Sequence, residues 1–226
     1  QVAIREPLIG HYRGWTLAGM PPPSSGGITL ALIPADHPGV NIGRRHLPSG
    51  AAFPNGPNWG KDVFIPMDWV IGGDKMAGAG WRMLMECLSA GRAISLPSSA
   101  TSGAKMMLRV TSAYARIRKQ FGLAIGRFEG VEDALARIGG FAYATTALSR
   151  STAAAVDRGE KPSVPSAIAK YHATEWGRQI CTDAMDVHGG KGVILGPGNW
   201  LGRSWQGVPI MITVEGANIM TRSLMI

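Results

Sequence analysis

The sequence predicts an α+β protein in which a strand-forming N-terminal part precedes an antiparallel helical bundle. Up to about residue 73, apolar residues alternate with small or polar ones over short stretches that end at glycine and proline, as strands do. From residue 74 onwards, apolar residues recur every three or four positions over long stretches, which is the period of helices. We therefore divide the chain into residues 1–73 and residues 74–226.

Three short segments of the N-terminal part are candidates for strands. Residues 28–32 alternate until Pro34 stops the run, and residues 39–43 and 62–66 follow as further candidates. Between the second and third candidates, residues 48–60 are rich in glycine, proline and asparagine. We therefore expect that segment to be a loop.

The C-terminal part carries apolar stripes at helical spacing. The first begins at Trp81 and continues to Arg92, and Pro97 gives its continuation beyond that point less support. Gly159 and the Lys-Pro pair that follows provide a stop between two later stripes. Such stripes are core positions, so we expect several long antiparallel helices. The later stripes cover residues 107–117, residues 131–148 with an extension to about 157, residues 168–187, and a last one that begins at Asn218.

The composition favours a folded protein with an anionic small-molecule ligand. The 226 residues carry a formal charge of +8, and 45% of them are hydrophobic, which suits one large or two small domains. The basic residues are scattered, without zinc-ligand spacing or an aromatic RNA-binding signature. A phosphate-bearing ligand therefore fits the charge better than nucleic acid, and a solvated surface is the simpler alternative. Cys87 and Cys181 are isolated thiols, which favours a reducing, cytoplasmic compartment.

Both ends of the chain indicate a piece of a larger polypeptide. Residue 1 is glutamine, and the chain stops at Ile226 inside an apolar helical pattern. The longest uncharged stretch, residues 14–35, contains a predicted loop at 21–27 whose prolines and glycines exclude one spanning helix. No signal peptide is visible. Any membrane association is therefore expected to come from segments outside this chain.

Glu215 is an acid within an apolar run, residues 208–219. An ionised carboxylate away from water is costly unless it finds a partner or takes up a proton, and desolvation raises its basicity. Such a carboxylate suits proton abstraction, and Gly216 beside it lets a ligand approach closely. The alternative is a helix-start carboxylate that faces the free N–H groups of a helix beginning near Ala217.

Arg118 would extend from the last turn of a helix, followed by Gly122 as a C-cap. A guanidinium there can bind phosphate in a bidentate manner, or it can serve the helix C-terminus. A second motif, residues 186–192, places three glycines after a helix, where exposed N–H groups can face an anionic ligand or the glycines can simply stop the helix. His188 has no second ligand at metal spacing, so we expect no metal site.

These motifs have a characteristic order. Residues 62–66 and 78–81 come first, and Val214-Glu215-Gly216 and Arg222 close the series. The order resembles that of the acyl-CoA dehydrogenases, most nearly the larger bacterial members of fatty-acid β-oxidation, and the resemblance covers residues 27–226. The intervening motifs are Gly91-Arg92, Arg118-Lys119-Gln120-Phe121-Gly122, Ala169-Lys170 and Gly189-Gly190.

The resemblance implies a fold and a reaction. Family members have an N-terminal helical domain, a middle β-domain and a C-terminal helical bundle. Residues 1–73 would therefore be part of the middle β-domain and residues 74–226 the C-terminal domain. Family members bind FAD and acyl-CoA and form a trans-2,3 double bond. The implied partners are acyl-CoA, an electron-transfer flavoprotein or similar acceptor, and further copies of the chain in a dimer or tetramer; nucleic acid is not among them.

The resemblance also implies roles for single residues. Glu215 would remove the α-proton of the substrate while a hydride passes from the β-carbon to the flavin, and Gly216 matches the substrate-side glycine. Some family members carry their base immediately before the arginine that Arg92 matches; Gly91 stands there in this chain, which favours Glu215. The residues that match FAD contacts are Arg118, Gln120 and Phe121, in a segment that serves a neighbouring subunit's cofactor, and Asp186, Val187, Gly189, Gly190, Ala217, Asn218 and Ile219.

Two residues depart from the family pattern. Ala217 stands where threonine is common, and Glu129 stands where glutamine is frequent. Because part of the flavin site would lie upstream and part in another subunit, the 226-residue chain alone is expected to be inactive. Two alternatives remain open: a non-catalytic oligomerisation module that retains the bundle, and a helical nucleic-acid binder that uses the positive charge.

Overall fold

The computed structural model describes residues 8–12, 15–19, 28–53 and 55–224, so the predicted loop at 21–27 lies outside the described residues. The described part consists mainly of helices with a few small antiparallel sheets, which confirms the predicted α+β class. It forms two compact units. One comprises the described residues up to Leu47 together with Ala52–Cys87, and the other comprises Pro48–Ala51 with the residues from Leu88 onwards.

The described residues of the first unit form four short strands in two antiparallel pairs. Strand β1 (Leu8–Tyr12) pairs with β2 (Trp15–Gly19), so that Tyr12 lies opposite Trp15. Strand β3 (Val40–Ile42) pairs with β4 (Asn58–Gly60), and Val40 lies opposite Gly60. Strand β3 was expected, whereas β4 lies inside the segment that the sequence predicts to be a loop.

Two of the three predicted strands are wrong. Residues 28–32 form one isolated bridge, between Ala31 and Val70, because only a short stretch of backbone pairs with them. Residues 62–66 are irregular, and Asp62 has a φ of 53°, in the left-handed region that a strand cannot contain. A pattern of alternating residues in one segment thus does not reveal whether a pairing partner exists elsewhere in the chain.

Helix α1 (Gly80–Ile117) runs without interruption through Pro97, so the two predicted stripes belong to one helix of 38 residues. Proline has no N–H, which leaves the carbonyl of Ala93 without its usual donor four residues later. Thr152 supplies a replacement, because its Oγ1 donates to that carbonyl at 2.7 Å. The side chain of Thr152 is buried on the next helix, so a tertiary contact allows the proline inside the helix.

The second unit is a helical bundle. A hairpin of β5 (Lys119–Gln120) and β6 (Leu123–Ala124) connects α1 to α2 (Glu129–Asp157), and α3 (Ser163–His188) follows. The three-helix order agrees with the predicted stripes. The main core joins α1, α2, α3 and a later helix, α5 (Trp200–Thr213), through these buried residues: Ala104, Met107, Ile138, Ala142, Ile180, Cys181, Ala184 and Leu201.

Helix α5 is absent from the sequence expectations, because two glycines and Pro209 in its sequence lower its intrinsic helix propensity. Tertiary contacts stabilise its start. A short helix α4 (Gly190–Val193) precedes it, and the amide of Asn199 donates to the carbonyls of Gly192 and Ile194, both at 2.8 Å. The same side chain accepts from the N–H of Gly202 and thus caps α5.

The predicted last helix begins at Asn218 as expected but is short. Helix α6 (Asn218–Thr221) is one turn long, and a 3-10 turn at Arg222–Leu224 follows it. Among the described residues, no helix is long and apolar enough to cross a membrane.

Candidate functional site

Glu215 lies in the tight turn between α5 and α6. Its φ is 55° and that of Gly216 is 89°, so two successive left-handed residues reverse the chain between the helices. Ala217 occupies the N-cap position of α6 and makes no side-chain cap bond. The Oε2 atom of Glu215 is buried and has no hydrogen-bond partner among the residues that the structure describes. Oε2 of Glu215 therefore accepts no hydrogen bond from the N–H groups at the start of α6, and the general base and the helix-start carboxylate both stay predictions.

Arg92 on α1 explains why residue 216, which follows Glu215, is glycine. A Cβ on Gly216 would lie 2.9 Å from Nη2 of Arg92. The positive φ of Gly216 also disfavours any side chain at this position. The guanidinium therefore lies directly over the turn. Its buried Nε has no hydrogen-bond partner within the described part of the chain.

Lys170 on α3 lies beneath the same turn and is completely buried. Its Nζ donates three hydrogen bonds, to the carbonyls of Ile212 (2.9 Å) and Gly216 (2.8 Å) and to Oδ1 of Asn218 (2.6 Å). An ammonium has three donors, and each has an acceptor here. One side chain therefore holds the end of α5, the turn and the start of α6.

The amide of Asn218 extends this network along α3. Its Nδ2 donates to Oγ1 of Thr174 at 2.9 Å and to Oε1 of Glu175 at 2.8 Å. On the other side of the turn, Oγ1 of Thr221 donates to the carbonyl of Gly216 at 3.2 Å. Asn218 and Thr221 are both buried, and the polar atoms of these two side chains are hydrogen-bonded within the network.

The charges around the turn are two cations and two carboxylates. Burial, and next to it repulsion from Arg92, lower the pKa of Lys170 from its usual value to about 8, while Glu215 and Glu175 act in the opposite direction. The positive charges of Lys170 and Arg92 offset part of the cost of burying the Glu215 carboxylate. Oε2 of Glu215 is thus a buried carboxylate oxygen that accepts no hydrogen bond from the described residues and lies near two cations.

An apolar cavity of about 280 Å³ lies between α1, α3 and α5. Thr174, which bonds to Asn218, lines it, and so does Met211, which precedes the turn by one helical turn. Most of the other lining residues are glycine, alanine or methionine. The cavity can thus receive an apolar group; none of residues 215–217 lines it.

The predicted cofactor residues on the α1–α2 hairpin form a second, exposed group. At the end of α1, the N–H of Arg118 donates to the carbonyl of Tyr114. The side chains of Arg118, Gln120 and Phe121 are exposed. Phe121 has a φ of 50° and is 93% exposed, an unusual position for a phenylalanine. The guanidinium of Arg118 is thus available to an anionic ligand.

The predicted glycine turn lies near this hairpin. The rings of Tyr114 and His188 stack at 4.4 Å, which brings the end of α1 to the end of α3. Gly189 has a φ of 55° and ends α3, and α4 begins at Gly190. A Cβ at either glycine would meet open space, so a ligand can reach the backbone. Asp186 is exposed as well, whereas the side chain of Val187 is buried.

The structure therefore divides the predicted site residues into two groups. Glu215, Gly216 and the residues of α6 lie over Lys170, whereas the hairpin and the glycine turn lie near His188, which is 18 residues further along α3. At a rise of about 1.5 Å per residue, the two positions are roughly 27 Å apart. Within the described residues, no group of His, Cys, Asp or Glu side chains is arranged to hold a metal ion.

Sequence reasoning missed the contribution of Lys170 and of the Asn218 side chain to the turn. A signal was present, because Lys170 lies among Ala167, Ala169 and Ala173, all of which are buried on α3. A lysine inside a buried helical stripe requires acceptors nearby. Which acceptors it meets, 42 to 48 residues later, is not encoded locally.

Known proteins share both the sequence and the fold of this chain. The family described as acyl-CoA dehydrogenase, C-terminal domain, matches residues 78–226. Protein HemX of Proteus mirabilis is 61% identical over 87 residues, which are 38% of this chain and 51% of that protein. The probable acyl-CoA dehydrogenase FadE10 of Mycobacterium tuberculosis is 30% identical over 169 residues, which are 74% of this chain and 25% of that protein.

Among solved structures, the glutaryl-CoA complex of glutaryl-CoA dehydrogenase is 25% identical with a TM-score of 0.78, and the match covers 89% of this chain and 50% of that one. The chain thus spans about half or less of the length of these relatives. Since the family match extends over more than half of the chain, this chain belongs to the acyl-CoA dehydrogenase family.

Proposed function

We propose that the protein to which this chain belongs oxidises fatty acyl-CoA to trans-2-enoyl-CoA in fatty-acid β-oxidation, with Glu215 as the general base. Members of the family are FAD-dependent oxidoreductases that act on acyl-CoA and form oligomers. The observation that carries the proposal is the buried Oε2 of Glu215, which accepts no hydrogen bond from the described residues. The side chains of Lys170, Asn218 and Thr221 hold the surrounding turn in place.

Glu215 would take the α-proton of the acyl group on its free oxygen. FAD, when bound, supplies the acceptor for the hydride that leaves the β-carbon. Gly216 presents no side chain on the substrate side, and Arg92 and Lys170 keep positive charge beside the carboxylate before the proton arrives. The reaction therefore needs both the base and a water-poor pocket, since water in an open site would compete for the proton.

The second group of residues has the donors that an FAD pyrophosphate requires. The exposed guanidinium of Arg118 and the open backbone at Gly189 and Gly190 suit a phosphate, and Gln120 and Phe121 would add contacts from the same hairpin. The distance of roughly 27 Å between the two groups supports a homo-oligomer in which the hairpin serves the cofactor of a neighbouring subunit.

Ala217, Asn218 and Ile219 would contact the flavin beside Glu215. The side chain of Asn218 is buried in the Lys170 network, so its contact would come from the backbone, whereas Ile219 is 79% exposed and can present its side chain. Val187 is buried in the same way as Asn218, and its contact would also come from the backbone. Asp186 is exposed and can use its carboxylate.

The apolar cavity supports a fatty acyl substrate rather than a polar one. Its volume of about 280 Å³ exceeds the roughly 150 Å³ of an engineered apolar cavity that binds benzene. Electrons would leave to an electron-transfer flavoprotein or a similar acceptor. The proposed location is the cytoplasm, because Cys181 is a buried free thiol and Cys87 an exposed one.

The test of the proposal is Glu215→Gln in the FAD-loaded enzyme that contains this chain. We expect retained flavin absorbance and a loss of enoyl-CoA formation of about a hundredfold to ten-thousandfold, because the near-isosteric amide cannot accept the proton. Glu132→Gln, an exposed carboxylate on α2, is the matched control. Turnover of the Glu215 variant within a few fold of wild type would refute its role as base.

A non-catalytic oligomerisation module is the second candidate, favoured by the separation of the two residue groups within one chain. FAD content distinguishes the two. The full protein is expected to retain stoichiometric flavin, whereas the 226-residue chain by itself is expected to retain neither flavin nor acyl-CoA oxidation. A full protein that binds no flavin would support the module.

A further inference from the structure

Lys170 is an unusual residue for the middle of a helical bundle. Of the side chains that the structure describes, it is the largest that is fully buried. A buried ammonium is costly unless all of its donors are satisfied, and a hydrophobic residue would fill the same space at lower cost. The presence of lysine here therefore calls for a reason beyond packing.

The acceptors of Lys170 supply that reason. Ile212 belongs to the last turn of α5, Gly216 to the turn itself, and Asn218 to the first residue of α6. Glu215 lies between these three points, and its left-handed φ of 55° is strained for a residue with a side chain. Contacts on both sides of a strained residue can hold it in place.

We propose that Lys170 is the positioning residue of the base: its ammonium fixes the backbone on both sides of Glu215 and thereby directs the carboxylate. The role of Lys170 in catalysis rests on the proposed function, whereas its hydrogen bonds and their effect on the turn do not. Besides the positive charge that it places near Glu215, Lys170 acts through the backbone and Asn218, with no contact to the substrate.

The hydrogen bonds of Lys170 allow a positioning role to be distinguished from a general contribution to core packing. Removing an apolar core side chain weakens the helices that pack around it. Replacing Lys170 by methionine keeps an apolar stem between α3 and the turn but removes the ammonium donor from three acceptors, and the Gly216 carbonyl then retains only its bond from Thr221. The damage should therefore concentrate in residues 212–221.

Hydrogen exchange measured by mass spectrometry on the 226-residue chain tests this. In Lys170→Met we expect the amides of residues 214–221 to exchange on the order of tenfold faster or more, because charge-assisted hydrogen bonds are lost, while α2 keeps its protection. Lys170→Arg retains a cation with several donors and should restore part of the protection. Lys105→Met removes an exposed lysine on α1 and should change nothing.

The catalytic arm uses the FAD-loaded enzyme. Lys170→Met should retain flavin and KM but lose kcat on the order of tenfold or more, with partial recovery in Lys170→Arg. If Lys170→Met unfolds throughout, Asn218→Ala decides, because it leaves the lysine in place and removes one of its acceptors. Faster exchange confined to residues 214–221 in that variant supports the inference.

Any of three results would overturn the inference. The first is exchange in residues 214–221 that matches wild type, and the second is exchange that rises equally in α2. The third is an unchanged kcat in a variant whose turn exchanges faster. A failure of the proposed function looks different. In that case Glu215→Gln would retain activity, while Lys170→Met would still loosen the turn.

Discussion

Gly216→Ala tests the geometry of the Glu215 turn directly. The residue has a φ of 89°, and an L-residue in the left-handed region costs roughly 1–2 kcal/mol. The new Cβ would also lie 2.9 Å from Nη2 of Arg92, so the guanidinium must move away from its preferred rotamer at a cost of about 0.5–1.5 kcal/mol. Together these predict that the free energy of unfolding falls by about 1.5–3.5 kcal/mol.

The matched control is the same substitution at Gly140, which is exposed in the middle of α2 with no other group within 4 Å of a Cβ. Alanine should stabilise that helix by about 0.5–1 kcal/mol, because glycine loses more backbone entropy on folding. Urea unfolding followed by the helical circular dichroism signal measures both changes. Shifts of the same sign for the two variants, or an unchanged midpoint for Gly216→Ala, would refute the reasoning.

Three further predictions follow from buried polar contacts and exposed charge. Thr152→Val should lower the free energy of unfolding by about 1–3 kcal/mol, since the carbonyl of Ala93 loses its donor, and Pro97→Ala should reduce that cost in a double-mutant cycle because it restores an N–H. Arg118→Ala should weaken FAD retention after dialysis, with only partial rescue by lysine; unchanged occupancy would contradict the phosphate contact. The pKa of Lys170 is about 8 in the folded protein and near 10.5 in the unfolded chain, so between these values the unfolded chain binds more protons. The free energy of unfolding of wild type relative to Lys170→Met should therefore rise from about pH 8 to about pH 10.5, and a flat difference would contradict the lowered pKa.

The long helices show how far a local pattern can be trusted. The stripe that begins at Val131 and the stop at Gly159 predict α2 closely, because the helix ends at Asp157. The glycine pair after His188 likewise predicts the end of α3. In both cases a run of apolar residues with helical spacing meets a residue that cannot continue the helix, so the information is local.

Helices α1 and α5 depended on residues far away in the chain. Pro97 weakens the local case for a continuous α1, and the donor that compensates for it, Thr152, lies 55 residues later. The start of α5 depends on the buried Asn199, whose amide meets two carbonyls of the preceding turn. The failed strand at residues 28–32 has the same cause, since a strand needs a partner that its own sequence does not contain.

The sequence by itself determined the α+β class, the long helices and the family resemblance, and it identified Glu215 and Gly216 as an acid-glycine pair in apolar surroundings. Only the tertiary structure decided that Lys170 and Arg92 converge on that pair and that Oε2 of Glu215 remains without a donor among the described residues. The reason is physical. Periodicity and turn chemistry act between neighbours in the chain, whereas a buried charge is stabilised by whichever acceptors the packed helices bring to it.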